Sequence, residues 1–172
     1  MTSIRRFTLS TIITACVLSA SVYTSCTKDK TDKCKTLVCL HGGTCKDGAC
    51  SCPTGYSGST CTDVSIYGTW HGHDNCNPSG SIDVIMTLSK STSNANEVLI
   101  NNPNNLGTGN TIVGTLSADK QQVNYVDQIV NPSTNPDTLT GTIYLSDNSN
   151  LHHNFSGKAG TFTFSCSGDY TK

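Results

Sequence analysis

Arginine occurs only twice in the 172 residues, as Arg5 and Arg6, and glutamate only once, as Glu97. Charged residues make up 13% of the chain, about half the share usual in a soluble domain. With a formal net charge of −1 and no arginine beyond position 6, the chain has no basic surface for nucleic acid. The scarcity of Glu and Lys removes the residues that build exposed helix faces, so a helical bundle is excluded. No run after residue 23 is apolar for long enough to span a bilayer as a helix. There is no Gly-x-Ser-x-Gly elbow, no His-Glu-x-x-His pair and no phosphate-binding glycine loop opening a helix. A lone Glu97, with most aspartates in turns, leaves little from which to build a carboxylate pair. No catalytic residue is expected.

Cysteine, by contrast, is plentiful. Ten cysteines argue against a reduced compartment. Arg5 and Arg6 precede residues 7–23, which carry no charge and are rich in Ile, Leu, Val, Ala and Thr. This is the layout of an export signal. Two cysteines stand where such signals end. Ile13-Thr14-Ala15-Cys16 resembles the lipobox of bacterial lipoproteins by residue type but lies close behind the arginines. Tyr23-Thr24-Ser25-Cys26 resembles it less at Tyr23 but lies at the usual distance. Acylation at Cys16 leaves nine other cysteines, and acylation at Cys26 leaves eight, which can pair completely. Parity favours Cys26, with residues 1–25 as signal and 26–33 as tether. The lysines and aspartates after Cys26 resemble the surface-export tether of some Gram-negative lipoproteins. The resemblance implies an exported protein, held by acyl chains on the outer membrane or cell surface.

Residues 34–61 hold Cys34, Cys39, Cys45, Cys50, Cys52 and Cys61, with only Leu37, Val38, Leu40 and Tyr56 as sizeable apolar residues. So short a segment needs covalent staples or a metal, and six cysteines alone permit 15 pairings. The spacing, the run His41-Gly42-Gly43-Thr44-Cys45 and the run from Cys50 through Gly55-Tyr56-Ser57-Gly58 to Cys61 resemble an EGF-like module. The resemblance implies the pairs Cys34–Cys45, Cys39–Cys50 and Cys52–Cys61. Lysines at 28, 30, 33 and 35 disfavour the calcium site that some such modules carry before the first cysteine. The module reads as a spacer.

Residues 64–172 are rich in Ser, Thr and Asn and punctuated by turn residues such as Asn77-Pro78-Ser79-Gly80 and Asp147-Asn148-Ser149-Asn150. Between the turns, apolar and polar residues alternate with period two. Ile82, Val84, Met86 and Leu88 share a face, as do Val98 and Ile100, Leu139, Ile143 and Leu145, Leu151, His153 and Phe155, and Phe162, Phe164 and Cys166. This pattern predicts half-buried antiparallel strands near 65–71, 82–90, 97–101, 111–117, 122–130, 138–145, 151–156 and 161–167. The fold class is therefore all-β: a disulfide-rich module followed by an eight-stranded antiparallel β-barrel, with a two-sheet sandwich as the alternative.

Gly68-Thr69-Trp70 at the start of this domain resembles the Gly-x-Trp opening of lipocalin-like barrels. The resemblance implies that Trp70 plugs one end of the barrel and stands as a possible ligand contact. Cys76 follows the first strand and Cys166 lies in the last. In a closed meander these strands are neighbours, so a Cys76–Cys166 bridge staples the closure. His71 and His73 share a strand face, whereas His152 and His153 face opposite sides. Exposed strand histidines are commonly solvated, and without a placed carboxylate or a strand register no metal is expected; no cofactor is expected either. The protein is expected to be a non-enzymatic surface lipoprotein. Its barrel is expected to bind a small apolar molecule, a glycan or a protein, or else to be filled and purely structural. A secreted hydrolase is a third, weaker reading.

Overall fold

Period-two alternation in the second half of the chain produces eight strands, each with one row of side chains turned inward. The computed structural model describes residues 32–107, 109–131 and 137–172. The expected signal, the acylation candidates Cys16 and Cys26, and the tether up to residue 31 lie outside the described residues.

The first described segment contains β1 (Thr44–Lys46), β2 (Ala49–Ser51), β3 (Tyr56–Ser57) and β4 (Asp63–Val64), paired as two small antiparallel ribbons. Disulfides Cys34–Cys45, Cys39–Cys50 and Cys52–Cys61 hold it together in place of a core. His41 stacks on Tyr56 with ring centroids 4.0 Å apart, and its Nδ1 lies 2.9 Å from the carbonyl of Cys61.

The larger segment comprises β5 (Gly68–Asn77), β6 (Gly80–Lys90), β7 (Glu97–Asn101), β8 (Thr111–Leu116), β9 (Gln122–Asn131), β10 (Asp137–Leu145), β11 (Asn150–Ala159) and β12 (Phe162–Thr171). Each pairs with the next, and β12 pairs back with β5, so the ring closes as an antiparallel barrel. Unbroken pairing around the ring excludes the two-sheet alternative. Cys76 stands directly opposite Cys166 in this closing pair, and the two are bridged.

The sequence pattern ends β5 near residue 71, and the strand runs on to Asn77. The reason lies in its inward row. Trp70 is followed at the inward positions by Gly72, Asp74 and Cys76, which carry no aliphatic signal. Likewise β12 continues past residue 167, because its inward Gly168 hides the alternation before Tyr170. Gly168 is required there by close approach, since a Cβ would lie 2.7 Å from the carbonyl oxygen of His73. Gly141 plays the same part on β10, where a Cβ would lie 2.6 Å from the Tyr125 hydroxyl. Small residues thus face large ones across the interior.

One seam differs from the rest. The register between β8 and β9 covers only Thr115 and Leu116 against Asn124 and Val123. Beyond it, Asp127 takes a left-handed backbone (φ 48°), and β9 bulges where it pairs with β10. The Gln128 side chain enters the gap. Its Oε1 accepts from the Val113 amide at 3.0 Å and its Nε2 donates to the Val126 carbonyl at 3.1 Å. A side-chain carboxamide thus takes the place of a ladder peptide group.

From Lys33 to Lys172 the chain forms one unit. The six-cysteine segment meets the barrel at the end where the chain enters β5. Asn148, in the β10–β11 turn, accepts from the Gly55 amide at 3.0 Å and donates to the Pro53 carbonyl at 3.2 Å. The Ser65 amide donates to the Gly55 carbonyl at 3.0 Å. No helix among the described residues is long and apolar enough to cross a membrane.

Candidate functional site

The two ends of the barrel are built differently. At the end beside the six-cysteine segment, Trp70 is fully buried and donates its indole N–H to the Ile66 carbonyl at 2.9 Å. The Lys172 ammonium lies 4.6 Å from the Trp70 ring centroid and donates to the Ser65 carbonyl. A cation over the face of a buried indole closes this end. Burial lowers the Lys172 pKa.

The opposite end carries the β5–β6, β7–β8 and β11–β12 turns. Here an apolar groove of about 360 Å³ is lined by Ile82, Leu106, Ala159, Phe162, Phe164 and the Cys76 sulfur. Phe162 is 46% exposed, Leu106 39% and Ile82 38%. Alternation places Ile82, Phe162 and Phe164 on the inward rows, yet at the rim the barrel no longer covers them. Exposed inward-row apolar residues at an open barrel end leave a surface that water wets poorly and an apolar molecule covers favourably.

Beneath the groove lies a pair of aromatic rings. Phe155 meets Phe164 edge to face, with centroids 6.4 Å apart. Phe155 also stacks on His153 at 4.3 Å. Below this lid is a buried polar group of four residues on β5, β9, β11 and β12. The Tyr170 hydroxyl donates to Asp74 Oδ1 at 2.6 Å, and the Tyr125 hydroxyl stands 2.5 Å from His153 Nε2. Asp74 and His153 are fully buried, and Asp74 Oδ2 and His153 Nδ1 have no hydrogen-bond partner.

Burial dominates the electrostatics of this group. It raises the Asp74 carboxyl to about 6, against the lowering effect of the Tyr170 hydrogen bond. It depresses the His153 imidazole to about 3. Burial, followed by the Asp74 charge, raises both Tyr125 and Tyr170, which therefore stay protonated. Tyr125 and the neutral His153 share one hydrogen bond, whose donor is set by the imidazole tautomer.

The structure sorts the residues singled out by sequence. Trp70 lies at the closed end and does not line the apolar groove. The cysteines are joined as Cys34–Cys45, Cys39–Cys50, Cys52–Cys61 and Cys76–Cys166, and the last pair forms part of the groove wall. His153 faces the interior, whereas His71, His73 and His152 face outward. The sequence reading missed Asp74, Tyr125 and Tyr170. Asp74 could have been found by extending the inward row of Trp70 by four residues.

A closed eight-stranded antiparallel barrel with one plugged and one open end is the class these features define. No family model matches the chain, and no curated protein matches it. Among solved structures, a redesigned β-barrel is similar over 63% of this chain and 91% of its own, with a TM-score of 0.43 and 15% identity. A second, EF1p2_mFAP2b bound to DFHBI, is similar over 63% of this chain and 94% of its own, with a TM-score of 0.43 and 11% identity.

Proposed function

We propose that this protein is a non-enzymatic binding lipoprotein of the cell surface, whose barrel takes a small apolar molecule at its open end. The observation that carries the reading is the groove of about 360 Å³ with Phe162, Leu106 and Ile82 exposed around it. An apolar body covering these side chains gains about 25 cal/mol per Å² of surface removed from water. The Phe155–Phe164 pair supports a shallow seat rather than a deep one. The six-cysteine segment serves as an EGF-like spacer at the closed end, and an acyl group on Cys26 anchors the chain. With the spacer against the plugged end, the groove stays free for a ligand.

Titration with an apolar fluorophore such as anilinonaphthalene sulfonate tests the binding reading. Saturable enhancement that is lost in Phe162→Ser and Phe164→Ala supports it. Enhancement that never saturates, or that both variants retain, refutes it. The anchor is tested separately: a globomycin-type inhibitor should leave an unprocessed precursor, and unchanged size and location would remove the anchor from the proposal.

A further inference from the structure

The register places side chains that the sequence alone leaves unplaced. On the outer wall, His152 of β11, Asp169 of β12, His73 of β5 and Asp83 of β6 stand directly opposite one another in a single row. His71 lies two residues from His73 on the same face, opposite Thr171. His73 Nδ1 pairs with the Asp83 carboxylate, and His152 Nδ1 pairs with Asp169. His71 and His73 form a ridge between two surface grooves. One is also lined by His152 and Asp169, and the other by Asp83.

An imidazole whose Nδ1 is held by a carboxylate presents Nε2 as a free lone pair in a fixed direction, as histidine ligands of metals commonly do. Residues two apart on a strand lie about 7 Å apart, and directly opposed residues on neighbouring strands about 5 Å apart. By these spacings His71, His73 and Asp169 stand close enough for two imidazoles and one carboxylate to reach one point once Asp169 turns from His152. Two nitrogens and one oxygen, with open positions left for water, match zinc and exclude the all-oxygen preference of calcium or magnesium.

We infer that His71, His73 and Asp169 form an outer-wall site for a divalent transition cation, zinc in the first instance, with Asp83 as the residue that positions His73. As the side chains now stand, no three such donors among the described residues are gathered about one ion. The site is assembled when the exposed Asp169 and His71 side chains turn toward the Nε2 of His73, which Asp83 holds in place. Binding exchanges the Asp169–His152 pair for an Asp169–metal bond and leaves His152 outside the ligand set.

Isothermal titration of the purified protein with zinc tests this directly. One zinc per chain is expected, with saturable heat. His71→Ala, His73→Ala and Asp169→Asn each weaken binding by at least about tenfold, and Asp83→Asn by about tenfold. His41→Ala, which removes a histidine from the six-cysteine segment, leaves affinity unchanged, and the circular dichroism of all variants matches the parent. Absence of saturable binding overturns the inference. So does affinity that survives His73→Ala and Asp169→Asn, or a loss in His152→Ala as large as that in His73→Ala.

Discussion

Asp74 and His153 face each other inside the barrel with Oδ1 and Nδ1 4.0 Å apart. That is too far for a hydrogen bond, and each residue keeps one polar atom unpartnered. Water solvates both groups in the unfolded chain and neither in the folded one. Folding therefore favours the neutral form of each, and the two effects act on opposite protonation states.

The first prediction concerns pH. Asp74 is raised from 3.8 to about 6, so its contribution to stability is fully present below pH 3.8 and is lost as pH rises through about 6. His153 is lowered from 6.5 to about 3, so its contribution is present above pH 6.5 and is lost as pH falls through about 3. Between about pH 4 and 6 the unfolded chain carries the proton on imidazole and the folded chain carries it on the carboxyl. The proton counts are then equal, and the two slopes cancel. His153→Gln unmasks Asp74, so stability in urea falls from pH 4 to pH 6. Asp74→Asn unmasks His153, so stability rises over the same range. Slopes of the same sign in the two variants would contradict this pairing.

A second prediction follows from the seam between β8 and β9. Gln128→Leu removes the carboxamide that joins Val113 to Val126. Two exposed peptide groups exchange the carboxamide for water, at a cost of about 0.5–1 kcal/mol. The Val113 amide is expected to exchange its hydrogen faster, while amides of β5 and β12 keep their protection. Unchanged exchange at Val113 would show that β9 can pair with β8 without the glutamine.

The inter-strand disulfide supplies a third. Cys76 and Cys166 are 90 residues apart in sequence and directly opposed in the barrel. Replacing both by serine removes about 2–4 kcal/mol, read from the urea midpoint. The barrel fold persists, because the hydrogen-bonded register of β5 and β12 does not depend on the bridge. Circular dichroism in the β region checks this.

The fourth prediction addresses the contact of the two segments. Asn148→Ala deletes both side-chain hydrogen bonds to the six-cysteine segment. Exchange at the Gly55 amide should increase clearly, with the urea midpoint of the barrel nearly unchanged. A barrel destabilised as strongly as by the Cys76 and Cys166 replacement would mean that the segments fold as one cooperative block.

The inward rows of β6, β7, β11 and the start of β12 were legible in the sequence because aliphatic and aromatic residues mark them at every second position. The closed barrel followed from eight such runs joined by short turns, and the Cys76–Cys166 bridge followed from that closure. The polar centre was not legible. Asp74 sits in the run His71-Gly72-His73-Asp74-Asn75, where every residue is polar or glycine, so no apolar alternation carries the strand past residue 71. Tyr125 and Tyr170 carry no motif, and only the ring closure brings them to His153 and Asp74. The groove was hidden for a different reason: Phe162 and Ile82 continue buried rows, and nothing local tells where a barrel rim stops covering them.

Three of the four disulfides close short stretches of 9 to 11 residues, whereas the fourth spans 90. Each short bridge can form as soon as its own hairpin-sized stretch has emerged. Cys76 and Cys166 meet only when the first and last barrel strands have found each other. The oxidation state of that one pair is therefore a chemical record of assembly. A thiol-labelling time course on reduced, refolding protein would follow the fraction of rings that have been bridged, with no need for a ligand or an activity.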